Sequence, residues 1–115
     1  MKVSKSEIQQ RQSSPSTTVF TYPSDLKELD VARIKVKGRN PYKEGTFFIE
    51  HKCHVLCYII KGSGKVIING EEFKVKAEDT ITIPAGEKYF IEGNLDYIAA
   101  CSPAYFKEQN EIVEL

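Results

Sequence analysis

The dipeptide Asn69-Gly70 constrains this chain more than any other feature. A type I′ turn needs two successive residues that tolerate positive φ, and this pair supplies them, so the chain is expected to reverse here as a two-residue β-hairpin. The turn fixes the register of the flanking strands. Ile68 then faces Glu71, Val66 faces Phe73 and Gly64 faces Val75, which gathers the apolar side chains of both strands on one face. Turn chemistry and burial agree, and both predict sheet.

The rest of the chain follows the same grammar. From residue 19 onward, short β-rich runs alternate with turn residues at the spacing of a sandwich or barrel. Ala32, Ile34 and Val36 alternate with Arg33, Lys35 and Lys37, so residues 31–37 read as a strand with one apolar and one basic face. Residues 38–45, with Pro41, read as a loop. Residues 46–50 and 54–60 read as strands broken near 51–53, and Gly62-Ser63-Gly64 as a turn. Strands at 80–83, 88–92 and 96–101 follow, separated by Pro84-Ala85-Gly86 and Gly93-Asn94, with a final strand around Ile112 and Val113. About eight to ten strands without crossover helices predict an all-β, antiparallel double sheet that escapes exposed edges by closing or wrapping.

At 115 residues the chain holds one core, and residues 19–115 are assigned to it. Residues 1–18 are rich in Ser, Gln and Lys, contain Pro15 and show no apolar period; they are expected to form a flexible N-terminal arm. A short helix at 4–11, or a strand added to another subunit, are the alternatives for that arm.

Charge excludes some partners. Sixteen basic and sixteen acidic residues cancel, so no global field draws the chain to nucleic acid or to an anionic membrane. Arg33, Lys35, Lys37 and Arg39 form a basic stripe, read as a solvated strand face balanced by Glu28, Asp30 and Glu44; an acidic or phosphorylated ligand is the alternative. There is no long basic surface with interleaved aromatics, which argues against nucleic-acid binding. The longest apolar run, residues 55–60, is far short of the ~20 residues of a membrane helix. Cys53, Cys57 and Cys101 are odd in number, and Cys53 and Cys57 on one strand would lie ~13 Å apart, so reduced, buried thiols and a cytoplasmic location are expected.

Gly45, His51, the stretch Tyr58-Ile59-Ile60-Lys61-Gly62-Ser63-Gly64, Asn69-Gly70, Ala77-Glu78-Asp79 before Thr80-Ile81-Thr82-Ile83-Pro84-Ala85-Gly86, and Ser102-Pro103-Ala104-Tyr105 occur in an order that resembles the cupin superfamily. The resemblance is strongest to the small single-domain cupin 2 conserved-barrel proteins and covers residues 22–111. It implies a double-stranded β-helix, the jelly-roll or cupin barrel. It also implies, where the family's chemistry is present, a divalent metal held by two histidines and a glutamate of a first motif and one histidine of a second. Counting forward from Gly45 puts His51, Cys53 and Cys57 in the first-motif positions, whereas counting back from Gly62 puts His51 in the second histidine position and Val55 in that of the glutamate. Tyr89 stands where the second-motif histidine is expected. The resemblance thus implies a degraded metal site and no cofactor; the alternative is zinc, iron, manganese or nickel on His51, Cys53 and Cys57, with His54 and Cys101 as further ligands.

Three functional classes follow. The first is a binding module whose barrel mouth takes a small organic ligand against some of His51, Cys53, Tyr58, Tyr89, Phe90 and Tyr97, because aromatic walls with a few polar groups make such pockets. The second is a cupin-type enzyme: a metal-dependent oxygenase, a sugar isomerase or epimerase, or a metal-free isomerase with His51 or Tyr89 as acid and base. The third is a homodimer, because Leu56, Tyr58 and Ile60 alternate with Val55, Cys57 and Ile59, leaving a strand that is apolar on both faces.

Overall fold

Residues 1–114 are described by a computed structural model. Nine strands make up most of the regular structure of these residues: β1 (Gln9–Ser14), β2 (Thr17–Tyr22), β3 (Asp30–Asn40), β4 (Thr46–Glu50), β5 (His54–Ile68), β6 (Glu71–Lys76), β7 (Thr80–Ile83), β8 (Lys88–Ser102) and β9 (Asn110–Glu114). Among the described residues, helix is confined to two 3-10 turns, Lys5–Glu7 and Lys107–Gln109. All pairings are antiparallel, and β8 is the hub, bonded to β3, β4 and β5.

The hairpin at Asn69-Gly70 has the expected form. Both residues have positive φ, +49° and +84°, and Ile68, Val66 and Gly64 pair with Glu71, Phe73 and Val75. The Asn69 side-chain oxygen accepts the Lys88 N–H at 3.0 Å while the Asn69 N–H donates to the Lys88 carbonyl at 2.8 Å, so the turn also anchors the start of β8.

Two expected turns and the start of the expected loop at 38–45 are instead bends within long strands. Gly62-Ser63-Gly64 lies inside β5, Gly93-Asn94 inside β8 and Gly38 inside β3. The reason is visible only across strands: Gly38 pairs with Gly93, and Gly93 with Gly64, so three glycines stand in one row. A Cβ on Gly93 would lie 2.5 Å from the Gly64 Cα, and one on Gly64 would lie 2.4 Å from the Glu92 carbonyl oxygen. Backbones this close let each strand bend from one layer into the other. One layer then comprises β1, β2 and β7 with the adjoining parts of β3, β5 and β8; the opposing layer comprises β4, β6 and β9 with the other halves of β5 and β8.

A second local device sets which side chains face inward. Ile59 pairs with Tyr97 but Lys61 with Asp96, so Ile60 is an extra residue, a β-bulge. Before it Val55, Cys57 and Ile59 are buried; after it Val66 and Ile68 are, with Ile67 between them also covered. The bulge therefore keeps the apolar set of β5 inside through a change of parity, and turns Lys61 outward. Together with Val36, Val75, Ile83, Ile91, Leu95 and Ala99 these residues fill the space between the layers. Each fully buried Ile or Val contributes about 1.5–3 kcal/mol relative to exposure.

Residues 1–18, expected as an arm, run instead as a 3-10 turn, β1 and the first two residues of β2, with β1 paired to β2 inside the chain. Thr17 is buried against the sheet and Ser16 accepts the Lys37 N–H on its carbonyl at 2.8 Å, which ties this hairpin to β3. β9 adds to β4 as the expected final strand.

Candidate functional site

One end of the barrel is bordered by the links at 51–53, 84–87 and 103–109, which backbone bonds tie to one another and to adjoining segments. The Glu50 carbonyl accepts the Gly86 N–H, the Gln109 carbonyl the His51 N–H, and the Lys27 carbonyl the Ala104 N–H, at 2.8–3.0 Å. Beneath these links sits Glu50, the last residue of β4. Alternation puts Thr46, Phe48 and Glu50 on the inward face, and the Glu50 side chain is 5% exposed.

Its carboxylate is held by three donors. The Tyr89 hydroxyl donates to Oε2 at 2.5 Å; Gln109 Nε2 and Asn110 Nδ2 donate to Oε1 at 2.7 and 2.9 Å. Gln109 is fixed in that orientation because its amide oxygen accepts the Lys52 and Cys53 N–H groups at 3.2 Å, leaving its NH₂ for Glu50. Asn110, partly buried, carries the network towards solvent. Burial, reinforced by the Glu50 charge and hydrogen bond, holds the Tyr89 phenol well above the ordinary tyrosine range, so it stays a protonated donor.

Further titratable groups lie near this cluster. Burial likewise pushes the Tyr97 phenol well up, with Asn40 opposing in part. Burial pushes the Cys57 and Cys101 thiols up to about 12 and raises Cys53, helped by the Glu50 charge. All three cysteines are free and buried, so they are protonated thiols and not nucleophiles at neutral pH. Asp30 is raised by burial, against a backbone hydrogen bond from Tyr105, and the Tyr105 phenol is raised by burial and by the charge of Glu50. Tyr105 and Phe106, expected to cap the barrel end, stand at that end with 41% and 42% of their surface still exposed.

Of the residues expected to line the pocket, the structure brings Cys53, Tyr89 and Tyr97 inside and leaves His51, Tyr58 and Phe90 outside. The division follows strand parity. The inward set of β8 is odd-numbered, so Tyr89 and Tyr97 point in, and Phe90 points out to meet the Phe47 ring at 5.4 Å and the Arg39 guanidinium at 4.1 Å. Tyr58 is on the outer face of β5. His51 leaves the end of β4 and bonds Glu111 at 2.9 Å on the surface, with half its side chain exposed. His54, also exposed, accepts the Ala85 N–H on Nδ1 at 3.0 Å.

The alternative metal set is not assembled: His51 is on the surface, whereas Cys53 and Cys57 are buried. Among the described residues, no group of three or more His, Cys, Asp or Glu is arranged to hold a metal ion. The residues at the barrel end do not fit the family's metal. The oxygens of the carboxylate are already taken by a phenol and two amide NH₂ groups, none of which is a ligand in that orientation. A carboxylate is nevertheless present inside the barrel. It comes from β4 rather than β5, which is why counting along the motif missed it.

An antiparallel sheet curled into two layers is the jelly-roll architecture, and the chain is a small cupin by fold. Residues 45–94 match the family of AraC-like ligand binding domains. An uncharacterised protein of Methanocaldococcus jannaschii is 43% identical over 61 residues, which are 50% of this chain and 49% of that protein; the match thus spans about half of each. The Streptomyces protein Pac13, described as a unique nucleoside dehydratase, superposes with a TM-score of 0.87 at 18% identity, covering 100% of this chain and 92% of that one. An RmlC-like cupin from Shewanella frigidimarina gives 0.72 at 16% identity over 89% of each chain.

Proposed function

We propose that this cupin binds a small, neutral, polyhydroxylated molecule of the nucleoside class at the barrel end, without a metal, with Glu50, Tyr89 and Asn110 supplying the polar contacts. The observation that carries the reading is the Glu50 carboxylate, buried inside the barrel yet held only by neutral hydrogen-bond donors. Hydroxyl groups of a ligand replace such donors without a charge penalty, whereas a second anion would be repelled. The Pac13 variants solved with uridine, similar over the whole barrel, support nucleosides as the first ligands to try.

An enzymatic reading stands second, favoured by the adjacency of a protonated phenol and a carboxylate at 2.5 Å. In a dehydration the carboxylate would take a C–H proton, the phenol would protonate the departing hydroxyl as water, and the carboxylic acid would return its proton to the phenolate. The third element of the reading is a homodimer through the outer face of β5, where Leu56, Tyr58 and Ile60 are exposed beside Ile98 and Val31 of the neighbouring strands. Reduced thiols fit a cytoplasmic setting.

A thermal-shift series in EDTA with uridine, other nucleosides, ribose and uracil tests the binding reading. Uridine is expected to raise the melting temperature, and Glu50→Gln to abolish that rise. A response to no nucleoside, or a response only when a divalent metal is added, would overturn it.

A further inference from the structure

The basic stripe read along β3 does not act as a unit. Arg33 is spent on Asp96, Nε to Oδ1 at 2.9 Å and Nη2 to Oδ2 at 2.7 Å. Arg39 turns away to the Pro41, Lys43 and Thr46 carbonyls and the Phe90 ring. Lys35 and Lys37 are left, and a third lysine joins them from another strand. Lys35 lies opposite Asp96, and Asp96 opposite Lys61; Lys37 lies opposite Asn94. The bulge at Ile60 is what brings Lys61 to this outer face.

Between these side chains is a cleft of about 350 Å³, lined by the three lysines, Asn94, Asp96 and bare backbone at Gly62. Asp96 feels the charges of Lys35 and Lys61, but it is paired through both oxygens with Arg33, so the pair carries no net charge and the three lysines remain in excess. Among the described residues, no carboxylate lies within ion-pairing distance of Lys35, Lys37 or Lys61. The Lys35 ammonium stands over the Phe20 ring, 5.7 Å from its centroid. The larger neighbouring cleft differs: its Lys65, Lys74 and Lys76 share it with Asp79 and Glu92, and Lys65 is paired with Glu72 and Glu92. Because the whole chain is formally neutral, the excess at the smaller cleft is local and is not a share of a general positive charge.

We propose that this cleft binds a ligand bearing two or more linked phosphoryl groups. Residues two apart on a strand are ~6.6 Å apart and two strand spacings are ~9.6 Å, so the three lysine stems give a positive footprint wider than a single phosphate. A chain of phosphoryl groups fits that span, with each ammonium acting as a point charge. The site is separate from the barrel end and does not depend on the nucleoside reading.

Calorimetric titration of the full chain at low salt with inorganic tripolyphosphate, and with orthophosphate for comparison, tests it. Tripolyphosphate is expected to bind saturably and at least about tenfold more tightly than orthophosphate. Lys61→Gln and the double change Lys35→Gln/Lys37→Gln should each weaken it at least about fivefold, as expected for loss of a charge-assisted contact. Lys74→Gln/Lys76→Gln in the larger cleft should change it less than twofold, and circular dichroism should show every variant folded. Absence of saturable binding at millimolar tripolyphosphate, or equal weakening by the two lysine pairs, would overturn the proposal.

Discussion

Three donors converge on Glu50, so replacing it by leucine leaves the Tyr89 hydroxyl and two amide groups without their partner in a buried setting. Each such loss costs about 1–3 kcal/mol. Glu50→Leu is therefore expected to destabilise the barrel by about 3 kcal/mol or more, and Tyr89→Phe, which removes one donor, by about 1–2 kcal/mol. Urea unfolding measures both, and values below about 0.5 kcal/mol for each would show that the cluster is solvated. The buried thiols give the alkaline limb. With folded pKa values raised to about 12 from an ordinary 9.0, Cys57 and Cys101 contribute stability that is complete below pH 9 and is lost as pH rises towards 12. Asp96 gives an acid limb of opposite sense: the Arg33 hydrogen bonds hold its carboxyl below the usual range, so its contribution is present above pH 3.8 and lost as pH falls below that. Unfolding midpoints across pH should show both limbs, and Arg33→Met should flatten the acid one. At this scale the sequence is least transparent. Glu50 reads as the polar end of a strand, and Gln109 and Asn110 carry no spacing signal, because what joins them is a register between β4 and β9 that no local pattern encodes.

Among the elements, the glycine row is the joint on which the long strands bend. Gly93→Ala would set a Cβ 2.5 Å from the Gly64 Cα and 2.6 Å from the Ser63 carbonyl oxygen, at φ +140°. A cost above about 3 kcal/mol, or failure to fold, is expected. Gly45→Ala, at φ +84° with open space around it, should cost only about 1 kcal/mol. Similar costs for the two, read by thermal or urea unfolding, would mean that the close approach does not set the bend. The same row explains which elements were legible. Asn69-Gly70 is read correctly from one strand alone, since a type I′ turn is a local requirement. Gly62-Ser63-Gly64 and Gly93-Asn94 look like reversals because the glycines facing them are on other strands. The apolar alternation of β3 is legible, but β5, apolar on both faces, gives no parity, and so Tyr58 cannot be told from Cys57 as a pocket residue.

For the molecule as a whole, the barrel is legible from turn chemistry and alternation, and its cupin type of fold from an ordered set of glycine, proline and turn residues that build scaffold. That set says little about the interior, where Tyr89 donates to a carboxylate that Glu50 brings from β4. If the outer face of β5 joins two copies, light scattering should give a dimer at micromolar concentration and Leu56→Asp a folded monomer; a monomeric parent chain would refute the pairing. The central claim is that the barrel end takes a neutral polyhydroxylated ligand without a metal. The most direct measurement is a two-dimensional amide NMR titration of EDTA-treated, isotope-labelled protein with uridine. Saturable shifts should gather at Glu50, Cys53, Tyr89, Tyr97, Gln109 and Asn110. No shifts at millimolar uridine, or shifts confined to the outer faces of the sheets, would contradict it.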